Sequence, residues 1–320
     1  MIFTKLTFNI LLVTITIQTS CFSFQSKDSI SLVQRHIYPE NIIFHSPGQN
    51  PEGITFNATN NTFYLSAINQ NPSIKAVDFD GNVNTFSNDK NETSRASFGL
   101  KTDIKNNRLI ACINGPKIGN LNIYNLNSGD LEHIINLASL LPEKENYQIN
   151  DLIVDSNNTM YVTGRLEDVI YKIDNELKPS VFFQKDAYTK PNGIVYHPYG
   201  FLLVSYSHQN SSLVKIPINK PEAAEVVLIN NFDFKGFDGM LLNEKGLLVG
   251  VTFAPDTNGN HAVIELKSDD NWKTASISNS KKTKKSTTIT QIKPNIYYVV
   301  NQDWKDRNAE NWTLEKVEFN

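Results

Sequence analysis

Four residues carry oxygen donors at matching places in the chain: Glu52 in Pro51-Glu52-Gly53, Asn150 in Asn150-Asp151, Asn192 in Pro191-Asn192-Gly193 and Asp238 in Phe237-Asp238-Gly239. Two carboxylates and two amides are hard donors with a summed formal charge of −2. That set suits Ca²⁺, which accepts six to eight oxygens and lets water complete the shell. No His or Cys stands at these positions, which argues against zinc and the softer metals. Taken singly, an Asn-Gly or Asp-Gly pair is a turn dipeptide. These four differ by sharing one phase of a repeat, whereas the other Asp-Gly, Asp80-Gly81, falls where an outer hairpin must turn.

The repeat is what must position them. A Gly-containing turn, an apolar segment, a polar turn, a β-branched and aromatic segment and two further short strands recur six times, with units starting near 51, 97, 149, 191, 237 and 286. The first unit runs from Pro51 through Phe63-Tyr64-Leu65 and Ile74-Lys75-Ala76-Val77 to Phe86. Spacings of about 42 to 52 residues are those of four-stranded propeller blades. The expected fold is all-β, a six-bladed propeller over residues 24–320 with a central metal site. Ile37 to His45, holding Ile42-Ile43-Phe44, is the expected outer strand closing blade six, and Leu137 to Leu141, stopped by Pro142, the expected short helix. Residues just before each innermost strand would then converge around the axis.

Pro51-Glu52-Gly53, Asn150-Asp151, Pro191-Asn192-Gly193 and Phe237-Asp238-Gly239-Met240 resemble the metal-site motifs of the regucalcin, gluconolactonase and Ca²⁺-dependent phosphotriesterase superfamily, over residues 51 to about 300. The resemblance implies one catalytic Ca²⁺ in the tunnel mouth. It gives Glu52, Asn192 and Asp238 as ligands, and Asn150 as a residue lining the site that is a direct ligand in the diisopropylfluorophosphatase branch. Gln148 stands where the regucalcin-like lactonases carry an arginine, which counts against sugar-acid lactones, and the histidine pair and disulfide of paraoxonases have no match.

Loops following the second strand of each blade should form the substrate rim. They contain Asn69 and Gln70, Asn114 and Lys117, Arg165 and Glu167, Tyr206 and His208, Phe253, and Trp304 with Lys305. His197 is expected at the opposite face. His36, His45, His133 and His261 show no ligand spacing, and the run Lys281 to Lys285 reads as a solvated linker between blades five and six.

Composition bounds the rest. With 30 Lys plus Arg against 33 Asp plus Glu, the chain lacks the basic excess of a nucleic-acid binder. Residues 1–23 read as a signal peptide, with Lys5 before a mostly apolar stretch from Leu6 to Ile17, too short and interrupted to span a membrane. Secretion or periplasmic export is expected. A lipid anchor at Cys21 is the lesser alternative, since Gln18-Thr19-Ser20 lacks the aliphatic residue of that signal, and cleavage beyond Cys21 leaves Cys112 with no disulfide partner. Together these features point to a secreted Ca²⁺-dependent hydrolase of a lactone or related ester, Asp238 acting at the reacting centre. The alternative is a non-catalytic, calcium-stabilised propeller that binds a ligand or protein through the same rim.

Overall fold

The computed structural model describes residues 38–69, 73–87, 96–207, 213–232, 234–254, 260–302 and 309–319. The expected signal segment and Cys21 lie outside them. No helix among the described residues is long and apolar enough to cross a membrane.

Short runs of alternating apolar and polar residues pair into six sheets. Blade 1 comprises Ile54–Asn57, Thr62–Leu65, Ile74–Val77 and Val83–Ser87. Blade 2 comprises Ala96–Asp103, Arg108–Gly115, Ile118–Asn125 and Leu131–Asn136. Blade 3 comprises Ile149–Val154, Met160–Gly164, Val169–Ile173 and Pro179–Gln184, and blade 4 Pro191–His197, Phe201–Tyr206, Leu213–Pro217 and Glu225–Val226. Blade 5 comprises Phe237–Leu242, Leu248–Thr252, His261–Lys267 and Thr274–Thr283, with Leu228–Asn230 added in parallel at its edge. Blade 6 comprises Ser286–Lys293, Ile296–Asn301, Asn311–Glu318 and, outermost, Asn41–His45. The first strand of every blade touches the first strands of both neighbours, so the six wall a central channel.

Closure of this ring depends on Asn41–His45, which pairs antiparallel with blade 6 from Asn41 opposite Glu315 to His45 opposite Asn311. Its residues alternate between solvent and core, so Ile42 and Phe44 pack with Phe56, Phe63, Trp312 and Leu314 between blades 6 and 1. The Trp312 indole N–H donates to the Ser46 carbonyl at 2.8 Å, fixing where the strand ends.

Asn and Asp side chains set the hairpins on one face. Asp78 accepts from the backbone N–H of Asp80 and Asn82, Asp155 from Asn157 and Thr159, Asp174 from Glu176 and Lys178, and Asn243 from Lys245 and Leu247. These turns supply locally the hydrogen bonds that the reversing backbone gives up. They join first to second strands or third to fourth, leaving the second-to-third connections on the other face with the site.

Two local expectations need correction. The stretch Leu137 to Leu141 makes only a single 3₁₀ turn, Ala138–Leu140. With Asn136 accepting from the Ser139 N–H at its start and Pro142 just beyond its end, it is too short for a ladder of α-helical bonds. The lysine run is not a linker either: Lys281 and Lys282 belong to the fourth strand of blade 5, where Lys281 reaches the Lys316 carbonyl of blade 6 at 3.0 Å. Alternating polar residues suit an outer strand exposed along one side, and lysine there discourages pairing with other chains.

Candidate active site and metal centre

Near the channel mouth the pairing of first and second strands slips in five blades: between Ser97 and Leu100, Ile149 and Leu152, Pro191 and Ile194, Phe237 and Met240, and Ser286 and Thr288. In blade 1 the paired strand starts only at Ile54, leaving Glu52-Gly53 in the same place ahead of it. A bulge turns one extra side chain off the sheet plane. Here it turns six of them, one per blade, into the channel mouth: Glu52, Phe98, Asn150, Asn192, Asp238 and Thr287 all line a single cavity of about 330 Å³.

The residue after each of these six must let the next blade come close. A Cβ added at Gly193 would overlap the Asp238 carbonyl oxygen, and one at Gly99 would lie 2.5 Å from the Asn150 carbonyl oxygen. Gly193→Ala should therefore push two inner strands apart and cost about 3 kcal/mol, at the upper end for overpacking. Urea unfolding would read this as a lower midpoint, and an unchanged midpoint would contradict the close packing described here. Blades 3 and 6 have Asp151 and Thr288 at this position instead of glycine, and the Asp151 carboxylate accepts from Leu152 N–H at 2.8 Å and Ile194 N–H at 3.4 Å.

Hydroxyls on or just after the second strands, and one on the first strand of blade 6, hold the bulges. Ser66 Oγ accepts from Gly53 N–H at 2.6 Å, and Ser205 Oγ from Phe237 N–H at 2.7 Å. Thr163 Oγ1 accepts from Asp151 N–H at 3.0 Å and donates to the Asn192 carbonyl at 2.9 Å, while Thr287 Oγ1 donates to the Glu52 carbonyl at 2.8 Å. Asp151 and these hydroxyls are absent from the sequence-derived site. Their one legible signal is that Ser66, Thr163 and Ser205 lie 14, 13 and 13 residues beyond Glu52, Asn150 and Asn192.

Among the four oxygen-bearing residues, Asn150 donates its amide N–H to Asn192 Oδ1, and Asn192 in turn hydrogen-bonds the Asp238 carboxylate. Glu52 is buried, and its Oε2 has no hydrogen-bond partner. Burial first, then repulsion from Asp238 and Asp151, holds the Glu52 carboxyl well above the usual range, against the pull of Arg165. Burial also pushes Asp238 up to about 7, opposed by the Asn192 hydrogen bond and Arg165. Two carboxyls crowded into a dry constriction thus want a cation that is stronger than the distant guanidinium. The donor set fits one: with their amide oxygens turned inward, Asn150 and Asn192 would join Glu52 and Asp238 around a hard divalent ion. No three His, Cys, Asp or Glu side chains among the described residues cluster to hold a metal, so any ion here depends on those amides.

Of the expected rim, the structure brings Arg165 and Phe253 to the cavity. The Arg165 guanidinium donates to Gln148 Oε1 at 3.4 Å and Ser207 Oγ at 3.1 Å, and lies 5.4 Å from the Phe253 ring centre. Asn69 is turned aside, donating to the Gly48 carbonyl at 2.6 Å, and does not line the cavity. Lys117 also lies away from it; its side chain is 72% exposed and paired at 3.6 Å with Glu145. Asn114 is structural, its amide bonded both ways to the Ile149 backbone, and Glu167 accepts from Gln148 N–H. His208 and Trp304, with Gln70 and Lys305, fall outside the described residues. His261, dismissed on spacing, does line the cavity, and its Nδ1 is buried without a hydrogen-bond partner. Only the third strand of blade 5 brings it there, and no local motif reports that.

No family model matches the chain, and no curated protein matches it in sequence. Solved structures do resemble it. The major allergen Mala s 1 of Malassezia sympodialis superimposes with a TM-score of 0.69 at 18% identity, over 88% of this chain and 96% of that one. Regucalcin of Agrobacterium tumefaciens, a calcium-binding protein, gives 0.61 at 17%, over 88% and 96%. A gluconolactonase of Xanthomonas campestris gives 0.60 at 13%, over 86% and 89%. The chain shares their fold. It is a six-bladed β-propeller along nearly all of its described length.

Proposed function

We propose that the protein is an exported calcium-dependent hydrolase acting on a lactone or related ester. The observation that carries this reading is the meeting of Glu52, Asn150, Asn192 and Asp238 from four blades at one constriction, with a buried Glu52 oxygen left without a partner. Likeness of fold to a gluconolactonase and to a calcium-binding regucalcin supports it. A bound Ca²⁺ would polarise the carbonyl oxygen of the ester as a Lewis acid.

The chain supplies the rest. Asp238, partly open to the cavity, is the carboxylate nearest in kind to a base or nucleophile, and Asn192 fixes its orientation by hydrogen bonding. It acts by one of two routes, taking a proton from water or attacking the acyl carbon itself. Repeated turnover in ¹⁸O water separates them, because label enters the Asp238 carboxylate only by the second. Phe98 and Phe253 offer apolar walls, while Arg165 and Gln148 offer a polar end. That mixture favours an aliphatic lactone with a polar substituent over a fully hydroxylated sugar lactone.

The test is a panel of aliphatic lactones, gluconolactone, aryl esters and phosphotriesters, assayed with Ca²⁺ and with excess chelator. Aliphatic lactones should turn over fastest, and only with Ca²⁺. If no member turns over while Ca²⁺ still binds, the hydrolase reading fails and the calcium-stabilised binding propeller takes its place.

A further inference from the structure

The channel does not end at the constriction. Below Glu52, Asn150, Asn192 and Asp238 it leaves no room for a water molecule, then widens into a second chamber of about 230 Å³ walled by Thr55, Thr102, Asp151, Thr288 and Lys101. That chamber opens to the opposite face through a recess of about 1070 Å³, and Lys101, Leu241 and Leu242 line both spaces. Lys101 therefore stands at the inner end of a solvent-accessible vestibule that the proposed ester site does not use.

Its ammonium group has neither a hydrogen bond nor an ion pair to any described residue. Lysines buried or half-buried elsewhere are anchored: Lys215 donates to the Asn271 carbonyl at 2.7 Å and pairs with Glu225, and Lys281 donates to the Lys316 carbonyl. A buried amine without such bonds gains little from its charge. Burial lowers the Lys101 pKa, against the pull of Asp151, so more of it is the neutral amine than at the surface. A neutral primary amine at the end of a polar, narrow chamber is a nucleophile for carbonyl carbon.

We propose that Lys101 captures small aldehydes as an imine, reached from the face opposite the ester site. The Lys101 Nζ lone pair forms a C–N bond to the aldehyde carbon. The carbonyl oxygen takes up both amine protons and leaves as water, giving C=N without an oxidant or reductant. The threonine hydroxyls around the chamber suit an aldehyde carrying hydroxyl groups and only a few carbons, because 230 Å³ admits no large ring system.

The full chain, incubated at neutral pH with glycolaldehyde and cyanoborohydride and then digested for mass spectrometry, tests this. Lys101 should acquire the reduced adduct about tenfold faster than exposed Lys105 and Lys267. Pyrenecarboxaldehyde should reverse that order, labelling the exposed lysines and sparing Lys101. Leu241→Trp, which narrows the entrance without touching Lys101's backbone, should slow labelling at Lys101 alone. Glycolaldehyde labelling of Lys101 no faster than that of Lys105 overturns the proposal, and so does labelling indifferent to Leu241→Trp in a folded variant.

Discussion

Asp238→Asn is expected to lower calcium-dependent hydrolysis by about 10³-fold, within the span a positioned base or nucleophile contributes. The change is nearly isosteric and keeps the Asn192 contact, so it separates chemistry from architecture. It also removes one of two carboxyls forced together by burial, and the variant without metal should be at least as stable as the parent. Loss of rate with an intact fold is the expected pairing, measured as kcat/KM on the best lactone alongside urea unfolding. A variant that is folded and calcium-loaded yet keeps the parent rate would remove Asp238 from the mechanism. Glu52→Gln should behave differently, weakening calcium affinity first and rate only through it.

The same two carboxyls give the metal-free protein a distinctive dependence on pH. Asp238 rises from an ordinary value near 3.8 to about 7 on folding, and Glu52 rises too. Between those limits the folded chain holds a proton that the unfolded chain has released, so stability falls as pH rises. From pH 4 to 7 the loss from Asp238 should be on the order of 4 kcal/mol, with Glu52 adding in the same direction. Asp78 and Asp270, hydrogen-bonded as carboxylates with lowered pKa values, act in the opposite sense. The difference in unfolding free energy between the parent and Asp238→Asn therefore isolates the effect. It should shrink towards pH 4 and grow towards pH 7 in chelator, and saturating Ca²⁺ should abolish or invert it. A difference that stays constant with pH would mean that Asp238 is solvated and ionised throughout.

Much of this arrangement is legible in the sequence. Six repeats read directly as six blades, and in four of them the bulge that admits the neighbouring strand is marked by a glycine at one phase: Gly53, Gly99, Gly193 and Gly239. The residue before each is forced into the channel, so Glu52, Asn192 and Asp238 announce themselves, and Asn150 follows even though Asp151 stands in the glycine's place. The rim is less legible because loop residues answer to their own local partners. Asn69 bonds to Gly48 and Lys117 to Glu145, while Arg165, with Gln148 and Ser207 to hold it, leans over Phe253 into the cavity. His261 and Lys101 reach the channel through strand position alone. Their types carry no spacing signal, since each blade contributes one residue and the relation between them is spatial.

Calcium titration of the metal-stripped protein, followed calorimetrically, tests the central claim most directly. One ion should bind per chain, the unfolding midpoint should rise with it by mass action, and Glu52→Gln and Asp238→Asn should each weaken binding by at least tenfold. Absence of binding at millimolar Ca²⁺, or binding that both substitutions leave unchanged, would contradict a metal centre at Glu52, Asn150, Asn192 and Asp238.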